Sequence, residues 1–247
     1  MITAPKPLID VPWITTEEMI EVDRAMMEDY RIVLMQMMEN AGRCLAQTAR
    51  RHFLGGDPRG KAVVVMAGRG GNGGGALVCA RRLHCWGAQV SVVLARDPKD
   101  FKEVPAHQLD VLQRMGLNLI GAADLPAQPT PALIIDGVIG YSLAGAPRAD
   151  AASLIRWANA QTAPTLALDA PSGVDTTTGQ AFEPTINAAA TMTLALPKVG
   201  LKAPAVLPHI GDLYLADISV PPALYSSQAL KYDVGPVFAQ SDVVRIW

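Results

Sequence analysis

The sequence predicts a doubly wound α/β domain, a largely parallel sheet with helices on both faces. Two observations point there. Short, unbroken apolar runs rich in valine, isoleucine and leucine recur along the chain, and helix-compatible stretches separate most of them. A third locates the business end: a glycine stretch or an aspartate stands where three of these runs stop, and ligands of open α/β sheets gather beyond strand carboxyl ends.

The elements follow in order. The first 14 residues, with prolines at 5, 7 and 12 and no apolar run, read as an extension. Thr15 and Thr16 can cap a helix whose first turn carries Glu17 and Glu18 and whose apolar residues include Met19, Ile20 and Met26. A second amphipathic run, Leu34 to Phe53, contains Met38-Glu39-Asn40-Ala41-Gly42. Strands are expected at Ala62 to Ala67, Val90 to Ala95, Ala132 to Ile135, Thr165 to Leu168, Ala190 to Leu196 and Leu213 to Ile218. After the first strand come Gly68 to Gly75 and a helix from Ala76 to Trp86, and Pro126, Pro129 and Pro131 mark a loop before a later strand. No repeat or charge run divides residues 15–225, which are expected to form one domain, with 226–247 as a tail packed on it or extending it.

Half of the 247 residues are apolar and 18% are charged, enough apolar surface for a buried sheet and too little charge for disorder. A net charge of −2 gives no long-range attraction for nucleic acid or anionic lipid, so a small molecule is the expected partner, with neither nucleic acid nor membrane. Cys44, Cys79 and Cys85 are odd in number and lack metal-site spacing; they read as reduced thiols, and the expected location is the cytoplasm.

Three motifs carry chemistry. The glycines of Gly68 to Gly75 bring bare backbone N–H groups to the start of a helix, a place to hold phosphate. Their spacing fits neither a dehydrogenase fingerprint nor a P-loop, which argues against an ordinary nicotinamide dehydrogenase or NTPase. Two further strands deliver Asp136, and Asp169 followed by Pro171-Ser172-Gly173-Val174-Asp175. One aspartate at a strand end can simply cap a helix. Asn72, Asp136, Asp169 and Ser172 together supply oxygen ligands for a hard cation and a carboxylate for proton transfer. Lys198 either faces this site or is a solvated loop lysine, and His209 reads as a loop histidine.

These motifs resemble the YjeF N-terminal domain family, which includes the NAD(P)HX epimerases and apolipoprotein A-I-binding proteins. The family runs Leu-Met-Glu-Asn-Ala-Gly, then Gly-Asn-Asn-Gly-Gly-Asp-Gly-Leu-Val, then Asp-Ala-Leu-Phe-Gly, then Asp-Ile-Pro-Ser-Gly-x-Asp. Here the same order appears in Met37 to Gly42, Gly70 to Val78, Asp136 to Gly140 and Asp169 to Asp175, and the likeness continues to about Pro222.

The resemblance implies a Rossmann-like three-layer αβα sandwich, preceded by helices and commonly a homodimer. It also implies an isomerase that interconverts the R and S hydrates of NADH and NADPH. A partner dehydratase, expected outside this chain, would then remove water from one epimer. By position, Asp169 would be the acid/base and would contact substrate, and Asn72, Asp136 and Ser172 would hold a potassium ion. The nucleotide would lie against Gly71, Asn72, Gly73, Gly74 and Gly75, and against Gly140, Tyr141, Ser142, Leu143, Ala144, Gly145 and Ala146.

Gly71, Gly75 and Ala76 depart from the family, which has Asn, Asp and Gly there. That leaves open a specialised paralogue acting on a different small molecule, or a non-catalytic nucleotide-binding or interaction module.

Overall fold

Thr15 opens the first helix, α1 (Thr16–Glu28): its hydroxyl accepts from the Glu18 N–H at 3.1 Å while the Glu18 carboxylate accepts from the Thr15 N–H at 2.7 Å. This reciprocal cap satisfies two donors that the helix start would otherwise leave unpaired. The second helix, α2 (Leu34–Thr48), continues into one wider turn at Ala49–Phe53, so the amphipathic run from Leu34 to Phe53 is a single helical stretch. The computed structural model describes residues 4–7, 10–127 and 130–247.

From there strands and helices alternate: β1 (Ala62–Ala67), α3 (Gly71–Cys85), β2 (Gln89–Leu94), α4 (Glu103–Arg114), β3 (Asn118–Gly121), β4 (Leu133–Gly137), α5 (Ala149–Asn159), β5 (Thr165–Leu168) and β6 (Ala190–Leu194). The chain ends with α6 (Leu207–Ile210), β7 (Asp212–Ala216), α7 (Pro222–Tyr225) and β8 (Val243–Arg245). The sheet order is β3-β2-β1-β4-β5-β6-β7-β8, parallel except for β8, which runs antiparallel to β7.

All six expected strands are present. β3 and β8 gave no signal in the sequence: β3 is a four-residue edge with no buried side chain, and β8 has three residues. Of the proline loop, Pro126 lies in a 3-10 segment, Ala122–Ala127, and Pro129 lies outside the described residues.

The side-chain alternation of β1 explains its unbroken apolar character. Val63, Val65 and Ala67 pack with residues of α2, α3 and α4 on one face, and Val64 and Met66 pack with Leu154 and Ile155 of α5 on the other. Both terminal segments touch the sheet: the Arg245 N–H of β8 donates to Pro5 O at 2.8 Å, and Tyr214 of β7 pairs with Arg245.

Candidate active site

β1 and β4 are neighbours, yet the chain leaves β1 towards β2 and leaves β4 towards β5. Their carboxyl ends therefore part and open a crevice at the strand-order reversal, where the loops after β1, β4 and β5 meet.

The glycine segment is more helical than its composition suggests. α3 begins at Gly71 rather than Ala76, and Gly73, Gly74 and Gly75 are buried in its first turns. A Cβ at Gly73 would fall 1.7 Å from Gly68 O, one at Gly74 2.6 Å from Met38 Sδ, and one at Gly75 2.9 Å from Leu168 Cδ2. Close approach of the α3 start to the Gly68 backbone requires Gly73, overriding its poor helix propensity, whereas at Gly74 and Gly75 the near atoms are the mobile ends of Met38 and Leu168. Gly71 and Gly75 line a described cavity, and Gly73 and Gly74 lie behind that lining. The N-cap is Gly70, which has no side chain to occupy the first-turn N–H groups, so that end of α3 is open to an anion.

Ala76 is fully buried and likewise lines no described cavity. A Cβ on Gly137 would stand 2.3 Å from the Ala76 methyl. The family has glycine at the first of these positions and alanine at the second, so this chain has exchanged the two: the methyl has moved from strand to helix across one contact. The departure at Ala76 is a packing exchange and leaves the site untouched.

Two cavities meet at the crevice, sharing Gly71, Asn72, Gly140 and Ser142. The inner one, about 160 Å³, has walls from Met19, Met37, Met38, Leu168 and Ile218 and polar groups from Asp23, Asn72, Tyr141, Asp169 and Lys198. The outer cleft, about 530 Å³, is lined by Gly68 to Asn72 and Val138 to Gly140, by Ser142, Leu143, Ala144, Gly145 and Ala146, and by Arg69, Arg96 and Arg148. These three guanidinium groups form no ion pair among the described residues.

Asp169 occupies the residue after β5 in a left-handed backbone conformation, φ 65°, that a residue with a side chain rarely adopts. Its carboxylate is held from both sides. Oδ1 accepts from Lys198 Nζ at 2.6 Å and from Thr193 Oγ1 at 3.3 Å, and Oδ2 accepts from the Tyr141 N–H at 3.0 Å. Lys198 is completely buried and also donates to Leu194 O at 2.9 Å, so the solvated-loop alternative is corrected. Its signal was its place just after the buried strand β6.

Asp136 and Ser172 are also completely buried, but they hold each other instead of reaching the crevice surface. Ser172 Oγ donates to Asp136 Oδ1 at 2.7 Å, the Ser172 N–H donates to Oδ2 at 2.8 Å, and the Val138 N–H donates to Oδ1 at 3.2 Å. Burial pushes the Asp136 carboxyl up to about 6 against these hydrogen bonds. No described cationic side chain pairs with it, and Asn72, in the first turn of α3, keeps a buried Nδ2 without a partner. A buried carboxylate lacking a counter-charge among the described residues, with the Ser172 hydroxyl on it, offers the oxygen atoms that a hard cation takes.

Asp23 was missed in the sequence. It lies on the stripe of α1 that buries Met19, Val22 and Met26, and Tyr141 Oη donates to its Oδ2 at 2.5 Å. A carboxylate within an apolar helical stripe was the available clue. Burial raises its carboxyl above the ordinary range, partly offset by the hydrogen bond from Tyr141. His209 is remote from both cavities, its Nδ1 2.8 Å from Asn187 Oδ1.

Residues 34–200 match the family described as YjeF-related protein N-terminus. The chain belongs to that family. It is 40% identical over 227 residues to an NAD(P)H-hydrate epimerase of Dehalogenimonas lykanthroporepellens, covering 92% of this chain and 89% of that protein. It is 35% identical to the bifunctional NAD(P)H-hydrate repair enzyme Nnr of Salinibacter ruber, covering 96% of this chain but 46% of that longer protein. The crystal structure of the yeast protein ynu0, YNL200c, superposes with a TM-score of 0.77 at 23% identity over 95% of this chain and all of that one, so the fold is shared. The YjeF-related match includes Asp136, Asp169, Ser172 and Lys198 and starts after Asp23. No helix among the described residues is long and apolar enough to cross a membrane.

Proposed function

We propose that this protein is an isomerase that interconverts the R and S hydrates of NADH and NADPH. The observation that carries the reading is Asp169, a strained and buried carboxylate clamped in the lining of the inner cavity, in a chain 40% identical to an NAD(P)H-hydrate epimerase.

The hydrated ring bears its hydroxyl at C6, next to the ring nitrogen. A proton passes from Lys198 Nζ through the Asp169 carboxylate to that hydroxyl, the C6–O bond breaks, and the nitrogen lone pair closes a C6=N iminium as water leaves. Water then adds to C6, the π electrons return to nitrogen, and a carboxylate takes the proton. The apolar walls of Met37, Met38 and Leu168 accept the ring and keep bulk water out. The phosphates lie in the outer cleft, where the open first turn of α3 and Arg69, Arg96 and Arg148 supply positive potential.

A potassium ion would be held by Asn72, Asp136 and Ser172 and would supply the charge that the buried Asp136 lacks. The protein acts in the cytoplasm, where a separate dehydratase consumes one epimer, as the longer bifunctional relatives suggest. It works as a homodimer, for which Ile20, Met27, Tyr30 and Val33, exposed along and after α1, provide an apolar face.

The test follows S and R hydrates by chromatography or NMR. The wild type is expected to speed their equilibration and Asp169→Asn to lose that effect; equal rates with and without wild-type protein refute the reading.

A further inference from the structure

Inverting C6 requires water to depart from one face of the ring and to arrive on the other. Asp169 is fixed by Lys198 and Thr193 on one oxygen and by the Tyr141 N–H on the other, so it addresses a single side of the cavity. A ring that keeps one orientation in a space of about 160 Å³ needs a second group for its other face.

The same cavity holds such a group. Tyr141 donates from its backbone N–H to Asp169 Oδ2 at 3.0 Å and from its phenol to Asp23 Oδ2 at 2.5 Å. One residue thus bridges two carboxylates that line the same cavity, Asp23 on α1 and Asp169 after β5. Enzymes that deliver acid and water to opposite faces of a sugar ring also separate two carboxyl groups, by about 6.5–9.5 Å.

We propose that Tyr141 and Asp23 are a second proton-transfer pair of this site, serving the face of the dihydronicotinamide ring opposite Asp169. The inference rests on the epimerase reading and deepens it.

The protons balance. The Lys198–Asp169 pair gives a proton, through the Asp169 carboxyl, to the departing hydroxyl, and water leaves. Water arriving on the far face forms its bond to C6 as the C6=N π pair returns to nitrogen. Its surplus proton passes to Tyr141 Oη, and the phenol proton passes along the existing hydrogen bond to Asp23. One proton has moved from the Lys198–Asp169 pair to Asp23; solvent takes it from the half-buried Asp23, and a proton from solvent restores the first pair. The opposite epimerisation runs the same route backwards. Burial raises the Asp23 carboxyl, which suits a group that must hold a proton during turnover near neutral pH.

The experiment measures two rates in water enriched in oxygen-18: inversion at C6, and label uptake into each purified hydrate without inversion. Tyr141→Phe and Asp23→Asn are expected to lower inversion about a hundredfold, the scale of one acid–base group, while one epimer still exchanges its hydroxyl within about threefold of the wild type. Exchange and inversion falling in parallel, or inversion persisting in both variants, overturns the pair. If the wild type accelerates neither rate, the epimerase reading fails and this inference falls with it.

Discussion

Lys198 Nζ lies 2.6 Å from Asp169 Oδ1, and neither side chain reaches solvent appreciably. The lysine follows β6 and the aspartate follows β5, adjacent parallel strands, so the sheet itself sets this distance. Removing the ammonium strands a buried carboxylate. Lys198→Met is therefore expected to cost about 3–5 kcal/mol in urea unfolding. Replacing both, with Asp169→Leu added, should recover most of that loss, because an apolar pair of similar volume fills the same space; additive losses would show that the two do not interact.

The exchanged methyl between α3 and β4 predicts a compensating pair. Gly137→Ala alone places its Cβ 2.3 Å from the Ala76 methyl and should destabilise by about 1–3 kcal/mol through overpacking. Adding Ala76→Gly, which restores the family arrangement, should return the unfolding midpoint to near the wild-type value. Activity should follow stability in this series, since neither residue lines a described cavity.

Potassium should stabilise the protein without substrate. At a hundredfold excess over the dissociation constant a bound ion contributes about 2.7 kcal/mol, visible as a raised melting temperature against a choline control. Asp136→Asn should abolish the shift. An equal shift in the variant would move the ion away from Asp136 and Ser172.

Much of the fold was legible because it depends on local pattern. The run Ala62 to Ala67 is apolar at every position since β1 is covered on both faces, and Thr15 with Glu18 spells a helix start in four residues. Edge strands escape that logic: β3 buries no side chain, and β8 becomes a strand only because β7 offers it an open edge.

Among site residues, Asp136, Asp169 and Ser172 announced themselves by ending or following buried strands. Their partners did not. Asp23 and Tyr141 are 118 positions apart and Asp169 and Lys198 are 29 apart. Nothing in either local sequence states that a phenol meets a carboxylate or that an ammonium is dry.

The sequence by itself determined the strand pattern, the family and the carboxylates at the strand ends, because each is written in contiguous residues. Tertiary structure alone decided that Gly73 is packed directly against the Gly68 backbone. It also decided that Lys198 is buried against Asp169 and that Asp23 belongs to the site. The physical reason is the same for these two carboxylates: burial and distance arise between elements remote in the chain, and only the assembled sheet brings them within hydrogen-bonding reach.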